Sequence, residues 1–263
     1  MLRPGEVGAP GSIPDSRMID SLAGTAYLSC QRRQARMQRG ISRMITSHSG
    51  IELPSTLEEW CDPRRMALVV YDMQVGIVRQ IKNADAIVEK VGAALEAARS
   101  VGMRVAYMRH VSLPLAWMGR TQLRTAMAWQ RQSNPDAVSA WFLRDAPATQ
   151  IVPELAPRAE DAVFDKLTMS AFDATPLAYA LRDCGLSAVA LAGIALEIGI
   201  EPTVRQATDH GFVAAILADA CGFGNAAAAE RSLATLGFIG EAIVTDTASF
   251  VDAVSRREAP SAA

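Results

Sequence analysis

Three times along this chain a stretch with helical spacing stops at a glycine and a short apolar run follows, an order that fits a parallel sheet covered by helices. The stretch 85–101 puts Ile87, Val88, Val91, Leu95 and Ala98 on one face and stops at Gly102. The stretches 175–184 and 201–210 stop at Gly185 and Gly211. Six runs read as strands: 66–72 (MALVVYD), 104–110 (RVAYMRH), 162–166 (AVFDK), 188–194 (AVALAGI), 213–219 (VAAILAD) and 241–246 (EAIVTD). Their near-continuous apolar character suits strands buried on both faces. The expectation is an α/β fold: a doubly wound, mostly parallel six-stranded sheet with helices on both faces.

With 263 residues, 50% of them hydrophobic, the chain can bury one full core. The folded domain is expected over 51–255, with a short tail over 256–263. Residues 1–50 read differently. They hold Pro4, Gly5, Gly8, Pro10, Gly11 and Pro14, then Arg32, Arg33, Arg36, Arg39 and Arg43, seven arginines against three acids in all. That composition predicts a disordered or non-native extension, or alternatively a basic interaction arm. Across the chain 26 basic side chains face 28 acidic ones, which gives no net field for nucleic acid or a lipid surface; a small-molecule partner is expected.

No apolar run reaches the roughly 20 residues of a membrane-spanning helix. Cys30, Cys61, Cys184 and Cys221 are widely spaced without a CxxC pair, which implies neither a zinc knuckle nor a disulfide scaffold and suits a reducing cytoplasm. Cys184 is expected to be buried packing. His48, His110 and His210 are too dispersed to suggest a metal cluster, and DMQVG after the first strand offers a single glycine where a phosphate loop needs several. Neither metal nor nucleotide cofactor is expected.

In a doubly wound sheet ligands bind beyond the carboxyl ends of the strands. Asp72 ends the first strand, Lys166 ends the third, and GIALEIGI (193–200) joins the fourth to its helix. A carboxylate at the tip of an apolar strand is costly unless paired or facing a cleft, and Lys166 is a suitable partner. Caps and solvent-facing loop residues are the plainer explanation of each position taken alone. The long connection 111–161 carries Trp117, Trp129 and Trp141 and one amphipathic piece near 121–132; long connections often cover a site.

VVYDMQ (69–74), FDKLTMSAF (164–172) and GIALEIGIEPTVRQATDHG (193–211) occur in the order of the three motif blocks of the isochorismatase-like hydrolases, a Rossmann-like family of the cysteine hydrolase superfamily that the chain resembles over roughly 66–250. In that family an Asp, a Lys and a Cys form a triad in which the thiol attacks an amide or related acyl centre. Asp72 and Lys166 match the first two, while Gly199 stands at the cysteine's position. Glycine cannot attack. The resemblance therefore implies a hydrolase working by acid/base chemistry of Asp72 with Lys166; true isochorismatases, with glycine there, hydrolyse a vinyl ether by protonating it and letting water capture the oxocarbenium ion. The alternative is a catalytically idle relative that binds a ligand or a protein through the same pocket.

The resemblance further implies a cis peptide or oxyanion hole at Ile194 and Ala195, and substrate contacts from Gln74, His110, Phe172 and Glu197. Trp117, with Trp129 and Trp141, is a candidate to line or cover the pocket, although aromatic side chains more often fill cores. For Glu197 a helix N-terminal charge is the competing explanation. Cys221, just past the fifth strand, is a weak substitute nucleophile. A homo-oligomer, dimer or tetramer, is also implied.

Overall fold

The computed structural model describes residues 45–54 and 56–257. The expectations for 1–44 and for 258–263 lie outside the described residues. Ile45–Thr46 pairs antiparallel with Glu52–Leu53 in a small hairpin. The six strands that follow are β1 (Met66–Tyr71), β2 (Arg104–His110), β3 (Ala162–Lys166), β4 (Ala188–Ile194), β5 (Val213–Gly222) and β6 (Ala242–Thr245). All pair in parallel, in the order β3-β2-β1-β4-β5-β6. The order reverses between β1 and β4, the place where open α/β sheets form a crevice at their carboxyl ends.

The helices are α1 (Leu57–Trp60), α2 (Val75–Val78), α3 (Ala84–Ser100), α4 (Arg120–Gln130), α5 (Leu177–Asp183), α6 (Glu201–Asp209), α7 (Ala226–Ile239) and α8 (Thr247–Ser255). None of the described helices is long and apolar enough to cross a membrane. Side chains alternate across the sheet and so build two cores. Met66, Leu68 and Val70 point to the layer holding Val91 and Leu95 of α3 and Phe250 of α8. Ala67, Val69 and Tyr71 point to the layer holding Leu181 of α5, Val204 of α6 and Leu236 of α7.

Two elements depart from the sequence-based expectation. β5 runs on to Gly222 because its pairing with β4 loses register between Leu191 and Gly193 and then resumes at Gly193–Cys221 and Ile194–Gly222. The irregularity lies beside the crevice, as such bulges often do. Cys184, expected in the core, is exposed at the carboxyl end of α5, because the helix ends one residue before it and turns through Gly185 at φ 70°.

Candidate active site

Asp72 follows the last residue of β1 with φ 50°. A strand continued through Asp72 would send its carboxylate to the face opposite Tyr71. The left-handed turn, which Asp tolerates better than most residues, instead lets both line one cavity. Lys166 crosses to it from the end of β3: Nζ donates to Asp72 Oδ2 at 2.8 Å and to the Thr168 carbonyl at 3.3 Å. The same ammonium lies 4.2 Å from the centre of the Tyr71 ring. Both charged groups are buried, and Asp72 Oδ1 has no protein partner.

Burial pushes the Asp72 carboxyl up to about 6, against the pull of the neighbouring Lys166 charge. Burial also draws the Lys166 ammonium below its usual range, with Asp72 opposing. His110 falls to about 4, through burial first and Lys166 second, so its ring is neutral at neutral pH.

From β4 the chain passes through a cis peptide between Ile194 and Ala195 into a π-helical turn, Leu196–Ile200, that leads into α6. π turns of this kind are often found at functional sites. Ala195 O accepts from Gly199 N at 2.9 Å and Ile200 N at 3.1 Å. Thr203 Oγ1 secures the turn, donating to Gly199 O at 2.6 Å and accepting from Ala171 N at 2.9 Å. Gly199 has a neighbour on its open side. A Cβ placed there would stand 2.1 Å from Tyr71 Oη and 2.4 Å from its Cζ. The phenol fills the space a side chain at 199 would use, and its hydroxyl donates to the Met169 carbonyl.

The cavity above these groups holds about 240 Å³ and is walled by Ile77, Ile81, Phe142, Ile194 and Ile198. A second cavity of about 420 Å³ runs beneath α4 toward Thr121, Gln122 and Ser139. His110, Trp129, Trp141, Phe142 and Met169 line both, so the two are neighbours across an aromatic partition. His110 meets Trp129 and Phe142 edge-on, each at 5.7 Å between ring centres.

The structure thus brings Asp72, Lys166, Gly199, Ile194, Ala195 and His110 together. Four residues expected at the pocket lie differently. The Gln74 amide is fully buried and spent on backbone, donating to His110 O and Thr149 O at 2.9 Å each and accepting from His110 N at 2.7 Å. Trp117 is 76% exposed on a short 3-10 turn and lines neither cavity. Phe172 stacks on Phe212 at 5.6 Å within the second core layer. Glu197 Oε1 accepts from Gly224 N and Asn225 N at 2.8 Å each, which clamps the loop after β5. Cys221 is buried with its thiol pushed up to about 12 by burial, so it offers no thiolate. Among the described residues no group of three or more His, Cys, Asp or Glu could hold a metal ion.

Sequence reasoning missed Tyr71, because strand alternation places it away from Asp72. A tyrosine at the end of an otherwise aliphatic strand, whose hydroxyl must find a partner once buried, was the available signal.

Comparison with known proteins establishes the family. A family model described as the Isochorismatase domain matches residues 66–249. The chain is 25% identical over 194 residues to the ureidoacrylate amidohydrolase RutB of Methylobacterium radiotolerans, covering 66% of this chain and 73% of that protein. It is 26% identical over 235 residues to a RutB of Methylorubrum extorquens, covering 81% and 92%. Among solved structures, a cysteine hydrolase from Pseudomonas syringae pv. phaseolicola superimposes with a TM-score of 0.65 at 25% identity, over 74% of this chain and 94% of that one. The N-carbamoylsarcosine amidase of Thermoplasma acidophilum shares the fold, with a TM-score of 0.56 at 21% identity over 70% and 96%. With the sheet order, the strand-end Asp and Lys and a family match spanning most of the folded residues all in agreement, the chain belongs to the isochorismatase family of hydrolases.

Proposed function

We propose that this protein hydrolyses a small, uncharged amide or urea with water as the nucleophile, Asp72 as general base and Lys166 as its electrostatic partner. The observation that carries this reading is Asp72 Oδ1, buried in the cavity without a protein partner while Oδ2 is held by Lys166. An ionised carboxylate oxygen in that position needs a donor, and a water supplies one. Water gives a proton to Asp72 as its oxygen bonds to the acyl carbon and the carbonyl electrons move onto oxygen. The adduct then expels the nitrogen, which takes the proton back from Asp72.

The walls set the substrate class. Among the described residues lining the two cavities there is no arginine or lysine to pair with a carboxylate, and the neutral His110 and two tryptophans favour a flat apolar group. This separates the expected substrate from the ureidoacrylate named for the RutB relatives. A cofactor is not needed for the step.

The test is a hydrolysis panel of phenylurea, benzamide, ureidoacrylate and an aryl vinyl ether across a pH range of roughly 4.5 to 8.5, which brackets the Asp72 titration. Phenylurea or benzamide should turn over faster than ureidoacrylate, with kcat/KM rising through pH of about 6. Asp72→Asn should lose at least about 100-fold. A rate that falls as pH rises through that point, on the vinyl ether alone, would replace the base with an acid. A second reading rests on the phenol that fills the place of a thiol: a pocket that binds without turnover. Its signature is saturable phenylurea binding with no hydrolysis of any probe.

A further inference from the structure

We propose that Tyr71 and Gly199 form one functional unit, in which the Tyr71 hydroxyl occupies the place of a residue-199 side chain and positions the attacking water against Asp72. The proposal deepens the general-base reading above and rests on it. Four observations support it. The hydroxyl lies 2.1 Å from the position of a Cβ at 199, so this pocket can hold the phenol or a side chain at 199 but not both. Its proton is committed to the Met169 carbonyl, which leaves its oxygen free to accept a hydrogen bond. Tyr71 and Asp72 line the same cavity although they are consecutive in the chain, because of the left-handed turn at Asp72. Asp72 Oδ1 has no protein donor.

A water between the two would donate one hydrogen to Asp72 Oδ1 and the other to Tyr71 Oη. Both of its protons are then held and a lone pair points into the cavity, the arrangement attack requires. As the carbon–oxygen bond forms, the proton facing Asp72 transfers to that carboxylate. The phenol keeps its own proton throughout and acts only by positioning, which its burial favours by holding it in the neutral form. Where a thiol hydrolase commits this space to sulfur, the unit here commits it to a water seat.

The experiment has two arms. The first reads sterics without turnover, by thermal unfolding and by peptide-mapped iodoacetamide labelling of Gly199→Cys, Tyr71→Val and the double variant. Gly199→Cys should cost several degrees in Tm while the phenol is present, and markedly less in the Tyr71→Val background. In the double variant the new thiol should label at least about tenfold faster than the buried Cys221. A single Gly199→Cys variant as stable as wild type, with a readily labelled thiol, would overturn the shared occupancy. The second arm reads phenylurea hydrolysis at a pH of about 7.5, above the Asp72 titration, in wild type, Tyr71→Phe and Asp72→Asn. Tyr71→Phe should lose about tenfold or more in kcat with KM within about twofold and Tm within a few degrees, on the scale of one hydrogen bond. Wild-type kcat in that variant rejects the water seat while leaving the general base standing. Turnover by Asp72→Asn, or none by wild type, rejects the general-base reading and the water seat with it; shared occupancy then stands or falls on the first arm.

Discussion

At the scale of single residues, the chemistry rests on how three side chains share one small volume. Asp72 is a strong enough acid to be ionised at neutral pH only because Lys166 offsets part of the cost of burying it. Replacing Lys166 by Met removes that offset, so the proposed rate limb at about 6 should move upward by roughly 1 to 3 units, in the direction an opposite charge lost from a carboxylate dictates. A pH profile of kcat/KM in Lys166→Met reads this directly, and an unmoved limb would mean that a group other than Asp72 titrates. Gly193 carries a different constraint. Its φ is 133°, and a Cβ there would lie 2.0 Å from the Tyr71 carbonyl. Backbone cannot yield as a flexible side chain can, so Gly193→Ala should destabilise by roughly 3 kcal/mol or more, measured by urea unfolding.

Among the elements, the π-helical turn between β4 and α6 carries the site, and Thr203 holds that turn to the loop after β3. The Thr203 hydroxyl bridges Gly199 O and Ala171 N in a fully buried position. Thr203→Val keeps the shape but removes the acceptor of the buried Ala171 amide, at a cost of about 1 to 3 kcal/mol. Amide exchange at Ala171 should quicken in that variant more than exchange in the middle of β1; equal protection at both would show that the bridge carries no weight. The strands themselves were legible beforehand. β2, β3 and β4 have the bounds their apolar runs predict, because a strand buried on both faces announces itself locally. The far end of β5 was not. Its extension past Asp219 depends on pairing with β4 resuming at Gly193, a contact between residues distant in sequence.

For the molecule as a whole, two core layers close around one sheet within the residues the structure describes. We therefore expect a chain begun at Met44 to unfold in a single transition within a few degrees of the full chain; a broad or split transition would show that the preceding segment stabilises the fold. The glycine-stopped helices and the apolar strands determined the sheet and put Asp72 and Lys166 at strand ends on its carboxyl edge, since these follow from local periodicity; the family was legible through the resemblance of the three motif blocks. Substrate contacts did not follow in that way. Gln74, Phe172 and Glu197 sit in or beside the motifs, yet backbone groups and a neighbouring ring claim them first. Gly199 was readable as a missing nucleophile, but what fills its place was not, because Tyr71 reaches it from the end of β1, a strand adjacent to β4 in the sheet but distant from it in sequence. Local sequence specifies which residue types a strand end offers. Which of them face the cavity, and which two compete for the same few cubic ångströms, is decided only when distant segments are packed together.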